Sequence, residues 1–474
     1  MLSRLSLLVC AALCLVPALT RSAEPGSISP DLLNRFEQEL IKHDDLSRTI
    51  NAATNVDFKA LSLNREVIAG HDNQFNFKLE TAKVPDQKSS GRCWMFAGTN
   101  VVTPKIISRL KLPEFKLSQA YLSFWDKLEK ANFFLEKMIE YRDRPIDDRS
   151  FQTWVADPAG DGGWWPYFEG LMRKYGVVPA SVMPETEQSV KTDRMNGLLY
   201  ALLRKATGEI RRLHADQKSV EKLREYKETV LADVYRLLVY SYGRPPKDFT
   251  FRWQKEAEDS AKTKILVEKD YTPMSFFEEY YANEIPQYIS LGNVPSKEYG
   301  RPYRLKGSRN ISEVGDVVVL NLPVEKLKHY ANKAIRDSQM VWFACDVGKD
   351  NYNDSGIFAV DMYDYNGAFG IDFGMTKAEK INFHEISPTH AMTLVGLDTA
   401  ATGVPRKWQV ENSWGTTRGK DGFWTMYDGW FDEYVLVVMV DKNLLEPDDL
   451  ALWEKPPVEV EDWEPFFRAL QSLR

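Results

Sequence analysis

The stretch "QKSSGRCWMFAG" (residues 87–98) is the most specific part of this sequence, because it places one cysteine at the start of a predicted helix. Cys93 follows Gln87 by six residues and a Ser-Ser-Gly turn, and apolar residues recur at helix-like intervals after it. We therefore predict that Cys93 lies at or near a helix N-terminus, in a helix that Gly98 and Pro104 weaken.

The composition is that of a globular protein with a large core. The chain has 474 residues, 43% of them hydrophobic, which is enough for one large domain with insertions or for two or three average ones. It carries 61 Lys plus Arg against 68 Asp plus Glu, and no long basic stripe is interleaved with aromatic residues. We expect no nucleic-acid partner.

The first residues have the order of a secretory signal. Arg4 precedes an apolar run that is interrupted by Pro17, and the small-residue stretch "TRSAEPG" follows. The run is short for a membrane span, although a retained N-terminal anchor is the alternative. We predict a signal peptide over residues 1–23, a secreted or periplasmic protein, and no stable membrane span after cleavage.

Cysteine usage argues against a disulfide framework. Removal of the signal takes away Cys10 and Cys14 and leaves only Cys93 and Cys345. One bridge between these two is conceivable, but a nucleophilic thiol must stay free to react. Cys345 lies in the apolar β-like run "MVWFACDV", so we predict that it packs in the core.

The organisation along the chain indicates an α+β protein with two lobes and a cleft between them. We predict a helical insertion over about 190–245, where two amphipathic segments flank a charged link near His214. Short β-like runs separated by Gly, Asn and Asp turns predict an antiparallel β-rich lobe over about 314–442.

A nucleophilic cysteine needs a base, a group that orients the base, and donors for the oxyanion. His390 begins the β-like run "HAMTLVGLD", and in "ENSWGTTRG" Asn412 can accept a hydrogen bond from one imidazole nitrogen while Trp414 shields that bond. Singly, each residue has an ordinary explanation: Cys93 as a small core residue, His390 as a strand histidine, Asn412 as a turn former and Gln87 as a surface amide.

The combination is far more specific than its members. Cys-Trp followed much later by His and Asn-Ser-Trp-Gly resembles a papain-type cysteine peptidase. His390 follows Cys93 by roughly 300 residues rather than the roughly 130 to 150 of ordinary papain-like chains, so about 150 residues are inserted. With "SGRCWMFA", "GDGGWW", "KYGVVP", "VWFACDVGK" and "THAMTLVG", nearly the whole mature chain, residues 24–474, resembles the bleomycin hydrolase or aminopeptidase C family.

The resemblance implies a papain-like core, a homohexamer with active sites facing an inner chamber, and removal of N-terminal residues from peptide substrates. Matched by position, Cys93 is the nucleophile, His390 the acid and base, and Asn412 the orienting residue. Gln87 and the Cys93 backbone N–H form the oxyanion hole. Gly162 and Gly163 let the substrate backbone approach.

The same reasoning predicts an ionised nucleophile and no cofactor. An imidazolium and a helix N-terminus both stabilise a thiolate, so we expect Cys93 to ionise well below the roughly 8.5 of a free thiol. We expect no metal and no organic cofactor, because the sequence has neither a His-Glu-x-x-His motif, a phosphate-cradling loop, nor a dinucleotide fingerprint.

The C-terminal segment, about 443–474, resembles the family's arm, whose terminal carboxylate pairs with the substrate's α-ammonium. That carboxylate belongs here to Arg474, which would thus bind substrate, but the tip "FFRALQSLR" is longer and more helix-like than the family's ending. A solvated tail is the alternative. Two other functions stay open: a cysteine endopeptidase with an uncapped cleft, and a non-catalytic oligomeric scaffold that uses the helical insertion.

Overall fold

The computed structural model describes residues 26–43, 45–257, 260–282 and 285–466. The predicted signal over 1–23 and Arg474 lie outside these residues. The described chain divides into two units, the smaller of which comprises the described residues up to Leu63 together with Tyr365–Asp372. The larger unit takes in Asn64–Asp364 and the described residues from Phe373 onward, and it contains every predicted site residue that is described.

Helices are concentrated in the first half of the described chain, although some occur as far as its C-terminal part. In chain order they are α1 (Pro30–Leu40), α2 (Leu46–Ala53), α3 (Phe58–Ser62), α4 (Arg65–Ala69), α5 (Cys93–Leu110), α6 (Gln119–Glu140), α7 (Arg149–Ala156), α8 (Trp165–Tyr175), α9 (Glu187–Val190), α10 (Asp193–Ala215), α11 (Val220–Tyr242), α12 (Pro273–Tyr280), α13 (Val324–Arg336), α14 (Tyr365–Phe369), α15 (Lys377–Asn382), α16 (Asp428–Tyr434) and α17 (Pro447–Trp453). The smaller unit consists of α1 to α3 with α14, and in it the rings of Phe58 and Phe369 pack edge to face.

Strands are concentrated in the second half of the described chain, although β1 lies near its start. They are β1 (Phe77–Lys78), β2 (Phe249–Ala257), β3 (Ser260–Tyr271), β4 (Tyr288–Gly292), β5 (Arg301–Leu305), β6 (Val318–Asn321), β7 (Val341–Cys345), β8 (Asn351–Tyr352), β9 (Ile357–Phe358), β10 (His390–Thr399), β11 (Pro405–Glu411), β12 (Phe423–Tyr427), β13 (Val435–Asp441) and β14 (Val458–Val460).

One sheet of 12 described strands organises the larger unit. Its order is β14-β5-β6-β4-β13-β7-β10-β11-β12-β9-β8, and β1 pairs with β10. Most neighbours are antiparallel, as predicted, but the pairs β4–β6, β9–β12 and β5–β14 are parallel. In this sheet His390 lies opposite Cys345, and Thr393 lies opposite Glu411.

Helix α5 begins at Cys93 and is buried along its first half. Pro104 does not interrupt it, since Val101, Val102 and Ile106 are core residues and their burial outweighs the backbone hydrogen bond that proline removes. Gly98 lets α8 approach: a Cβ there would lie 2.7 Å from the ring of Phe168.

The α+β fold class is confirmed, and the differences from the predicted layout have simple causes. The sheet recruits β4, β5 and β14 from outside residues 314–442. Helix α13, which we did not predict, lies inside that range and covers the sheet. Its buried residues recur at helical spacing, so the signal was present in the sequence: Leu327, Tyr330, Ala331, Ala334 and Ile335.

Two hairpins follow one another within the larger unit. Helices α10 and α11, joined by residues 216–219, occupy the range predicted as a helical insertion and pack through buried residues such as Leu203 and Val234. The β2–β3 hairpin follows, and we did not predict it although "FTFRW" alternates apolar and polar residues.

The C-terminal segment docks on the sheet as far as it is described. Strand β14 pairs in parallel with β5, Glu464 Oε2 lies 2.9 Å from Lys297 Nζ, and the ring of Phe466 packs 4.9 Å from that of Tyr303. No helix within the described ranges has both the length and the apolar character that a membrane span requires.

Candidate active site

Cys93 is the first residue of α5, and it lies against the strand that starts with His390. It is 2% exposed, and the nearby backbone N–H of Ala391, the residue after His390, lowers the pKa of its thiol. The Trp94 backbone N–H favours the thiolate in the same way. The helix N-terminus and the start of β10 therefore meet at this sulfur.

His390 is held by the segment that follows β11. Its Nε2 lies 2.8 Å from Asn412 Oδ1. The backbone N–H of Ser413 also donates to Asn412 Oδ1, at 2.8 Å, and because a backbone N–H only donates, this oxygen is fixed as an acceptor. His390 Nε2 therefore carries the hydrogen and donates a hydrogen bond to Asn412 Oδ1, which leaves Nδ1 as the basic nitrogen.

Trp414 lies over the imidazole, with ring centroids 4.8 Å apart and planes inclined by 32°. Trp424 supports it from the side at 5.5 Å. The His390 side chain is only 4% exposed, so water has little access to its bond with Asn412. Low solvent access strengthens that bond and makes the orientation of the ring more rigid.

Burial opposes the predicted ionisation of Cys93. It raises the pKa of Cys93 to about 11, although the N–H groups of Ala391 and Trp94 favour the charged form. Burial also lowers the pKa of His390 to about 4, against the effect of Asn412. Burial thus penalises each charge when it forms alone. Neither shift includes attraction between a thiolate and an imidazolium, so the ionisation of Cys93 stays a prediction.

Gln87 is tied to the same segment. Its backbone N–H donates to Ser413 O at 2.8 Å, and its Oε1 accepts from Ser413 Oγ at 2.6 Å. Its Nε2 donates one hydrogen to Ser90 O at 2.6 Å. Since an amide nitrogen carries two hydrogens, the second can serve an oxyanion.

Gly162 and Gly163 line a cavity of about 440 Å³. Its other lining residues come from before and after the helical insertion and include Trp154, Ser387 and Asp462. A Cβ on Gly163 would lie 2.5 Å from the ring of Trp94, so only glycine allows this loop to lie directly against α5. The described lining of the cavity includes neither Cys93 nor His390, which are covered. The two glycines line this cavity, and Gly163 lies against Trp94, the residue after Cys93.

The sequence pattern missed the charged residues that support this site. Arg92, 1% exposed, binds both oxygens of Glu185 at 3.1 and 2.8 Å, and its Nε donates to Ser90 Oγ at 3.1 Å. Asp161 forms an ion pair with Lys127. The motifs "GRCW" and "GDGG" contain these residues, but their partners are distant in sequence.

Cys93 and Cys345 are both free and buried, and the bridge that the sequence left open is not present between them. Cys345 lies on β7 inside the core, as predicted. In the part of the chain that the structure describes, no three His, Cys, Asp or Glu residues form a group able to hold a metal ion. Arg474 lies outside the described residues.

Together, the cysteine at the start of α5, the oriented histidine and the amide donor define a cysteine peptidase on a papain-like α+β fold. Comparisons with known proteins agree. The profile of the Peptidase C1-like family matches residues 27–467. The chain belongs to this Peptidase C1-like family.

The relatives cover most of the chain. Aminopeptidase C of Lactobacillus helveticus is 34% identical over 443 residues, which are 92% of this chain and 97% of the relative. Aminopeptidase C of Streptococcus thermophilus is 37% identical over 398 residues, 83% and 88% of the two chains. The crystal structure of PepW from Lactobacillus rhamnosis has 35% identity and a TM-score of 0.88 over 93% of this chain and 99% of its own.

Proposed function

We propose that this protein is a cysteine aminopeptidase that removes residues from the free N-terminus of peptides through an acyl-enzyme on Cys93. The observation that carries the proposal is the contact between the start of α5 and the start of β10, with His390 oriented by Asn412. Relatives over most of the chain are named aminopeptidase C, which supports the same reaction.

The proposed reaction uses this arrangement as follows. His390 Nδ1 takes the Cys93 proton, and the thiolate and imidazolium form together, so each charge offsets the desolvation of the other. The sulfur attacks the scissile carbonyl, while Gln87 Nε2 and the Cys93 backbone N–H stabilise the oxyanion. The C–N bond breaks as the imidazolium protonates the leaving amine. Water, activated by His390, then hydrolyses the thioester.

The docked C-terminal segment supports exopeptidase action. Asp462 of this segment lines the cavity that Gly162 and Gly163 also line, and it accepts hydrogen bonds from Ser150 Oγ and Trp154 Nε1. The C-terminal segment therefore lies beside the cavity at Asp462, upstream of the segment's last residues. A carboxylate at the end of such an arm is suited to pair with the α-ammonium of a bound peptide.

The test compares one peptide that has a free N-terminus with its N-acetylated twin, under reducing conditions. An aminopeptidase shortens only the free peptide, one residue at a time. Internal cleavage of both peptides would establish the endopeptidase instead. A wild-type protein that cleaves neither peptide would contradict the catalytic function and favour the scaffold.

We further propose export of the protein, on the signal-like order of residues 1–23. Because secreted thiols meet oxidants, activity would then depend on a reductant. N-terminal sequencing of the protein recovered outside the cytoplasm should begin near residue 24. A mature protein that keeps Met1 would exclude this proposal.

We also propose a homo-oligomer, a hexamer by resemblance to the family. Exposed apolar side chains on α10 and α11, namely Leu198, Tyr235 and Tyr240, are compatible with a buried contact between copies. Sedimentation equilibrium at working concentration should give a mass several times the 54.5 kDa of one chain. A monomer under these conditions would contradict the proposal.

A further inference from the structure

One buried carboxylate, Asp161, links the start of α10 to the segment that precedes Cys93. Its Oδ1 lies 2.6 Å from Lys127 Nζ and accepts a hydrogen bond from Asn196 Nδ2 at 2.9 Å. Its Oδ2 accepts the Gly91 backbone N–H at 2.9 Å and Thr192 Oγ1 at 2.5 Å. Thr192 and Asn196 belong to the start of α10, so two side chains of the insertion hold this carboxylate.

Asp161 in turn contacts the segment that leads into the nucleophile. Gly91 precedes Cys93 by two residues, and a Cβ on Gly91 would lie 2.7 Å from Asp161 Cβ. The Asp161 carbonyl accepts Trp94 Nε1 at 2.7 Å, on the other side of Cys93. The residue therefore holds the chain both before and after the cysteine, and it adjoins Gly162 in the cavity lining.

Thr192 uses its hydroxyl for this contact rather than for its own helix. It occupies the N-cap position of α10, where a threonine side chain usually accepts a backbone N–H, yet it makes no capping bond. The backbone adds a second link, since Ser89 N donates to Val190 O at 3.0 Å. The start of the insertion is thus attached to the turn that precedes Cys93.

The charges are well protected from solvent. The side chains of Lys127 and Asp161 are 1% and 8% exposed. Burial alone opposes ionisation, but Lys127 and the hydrogen bonds of Thr192 and Asn196 hold the pKa of Asp161 well below its usual range. A carboxylate with this many donors has one defined position.

We propose that Asp161, held by Thr192 and Asn196 of α10, is a positioning residue that sets the geometry of Cys93 and of the Gly162–Gly163 loop. The helical insertion is then part of the catalytic apparatus and not only a surface or an oligomer contact. This inference rests on the proposed function for its effect on turnover, but not for its effect on the reactivity of Cys93.

The test is Thr192→Val, which removes one hydroxyl without changing the buried charges. The matched control is Thr207→Val, the same change at another buried threonine of α10, whose hydroxyl donates to Leu203 O. Thr192→Ser is the rescue variant. The readouts are the rate of alkylation of Cys93 by iodoacetamide as a function of pH, located by mass spectrometry, and kcat and KM on an unblocked peptide.

Thr192→Val should slow alkylation and lower kcat/KM by about tenfold or more, as supporting residues of catalytic groups do. Thr207→Val and Thr192→Ser should match the wild type. If Thr192→Val also matches the wild type in both readouts, the inference is wrong while the proposed function stands. If the alkylation rates differ as expected but neither the wild type nor any variant cleaves peptide, the proposed function is wrong while the inference stands.

Asp161→Asn alone leaves the Lys127 cation unpaired in the core and destabilises the fold. The double variant Asp161→Asn with Lys127→Met removes both charges, and its folding is checked by its melting temperature. We expect a folded protein whose Cys93 is alkylated at least about tenfold more slowly. Wild-type alkylation kinetics in this folded double variant would overturn the inference.

Discussion

In the proposed reaction, one hydrogen bond decides which nitrogen of His390 takes the proton from Cys93. Asn412 Oδ1 accepts both His390 Nε2 and the Ser413 backbone N–H, so the amide cannot rotate without losing a bond. Both contacts use the amide oxygen, while Asn412 Nδ2 is buried without a partner among the described residues. The imidazole presents its basic Nδ1 as a consequence.

Asn412→Ala should lower kcat by on the order of 10²-fold, because the imidazole loses the acceptor that fixes its tautomer and orientation. Asn412→Asp retains an oxygen acceptor and should keep more activity than the alanine variant. Steady-state kinetics on an unblocked peptide, with melting temperatures to verify folding, make the comparison. Wild-type kcat in Asn412→Ala would show that Asn412 does not orient the histidine.

Glu411 predicts a pH dependence of stability. It is 1% exposed, neither carboxyl oxygen has a partner among the described residues, and burial raises its pKa from 4.5 to about 8. The folded protein therefore retains a proton that the unfolded chain releases. This contribution to stability is fully present below about pH 4.5, decreases as the pH rises, and is lost above about pH 8.

Glu411→Gln should remove that dependence. Relative to this variant, the wild type should lose up to about 5 kcal/mol of unfolding free energy across the window. Urea titrations at several pH values measure the difference, and Glu228→Gln, which neutralises an exposed carboxyl of α11, is the control. Parallel pH profiles for wild type and Glu411→Gln would contradict a neutral buried acid.

The residues proposed to act directly in the chemistry could be identified from the sequence, whereas the residues that support them could not. Motif types and order were enough to nominate Gln87, Cys93, His390 and Asn412, which the structure brings into one region. Asp161 and its partner Lys127 were missed because their pairing depends on how α6, α10 and the Gly162 loop pack. No local pattern encodes a contact between segments so far apart in sequence.

The loop at Gly163 depends on its contact with α5. A methyl group at Gly163 would lie 2.5 Å from the Trp94 ring, which is fully buried and cannot move away. Gly163→Ala should therefore displace the loop and lower kcat/KM by about tenfold or more, largely through KM. Peptide kinetics measure this effect.

Gly197→Ala is the matched control for that prediction. Gly197 is exposed on α10, and a Cβ there would meet nothing within 4 Å. This variant should keep wild-type kinetics and gain up to about 1 kcal/mol of stability from helix propensity. Equal kinetics for the two alanine variants would mean that the close approach at Gly163 has no role in substrate binding.

Elements with a simple apolar pattern, either a helical stripe or a continuous run, were the predictable ones. The buried stripes of α10 and α11 and the continuous apolar runs of β7, β10 and β13 could be identified by inspection. The order of strands in the sheet could not, since β14 and β4 join through long connections that leave no local signal. The extent of burial around Cys93, which raises the pKa of its thiol, could not be predicted for a related reason, because burial depends on the assembled core.

The docked C-terminal segment links the fold to the type of cleavage. Truncation after Phe466 keeps β14 and the Phe466–Tyr303 contact but removes the last eight residues of the chain. If those residues cap the cleft, the truncated enzyme should cut N-acetylated peptides that the full chain leaves intact. Mass spectrometry of the products gives the answer, and unchanged exopeptidase action would place the cap elsewhere.

The most direct test of the whole account compares two cysteine variants of the same protein. Release of the N-terminal amino acid from an unblocked peptide is measured for wild type, Cys93→Ala and Cys345→Ala under reducing conditions. We predict that Cys93→Ala loses at least about 10⁴-fold in turnover, while Cys345→Ala, which changes a buried core thiol, remains active. Turnover by Cys93→Ala at the wild-type rate would contradict the assignment of Cys93 as the nucleophile.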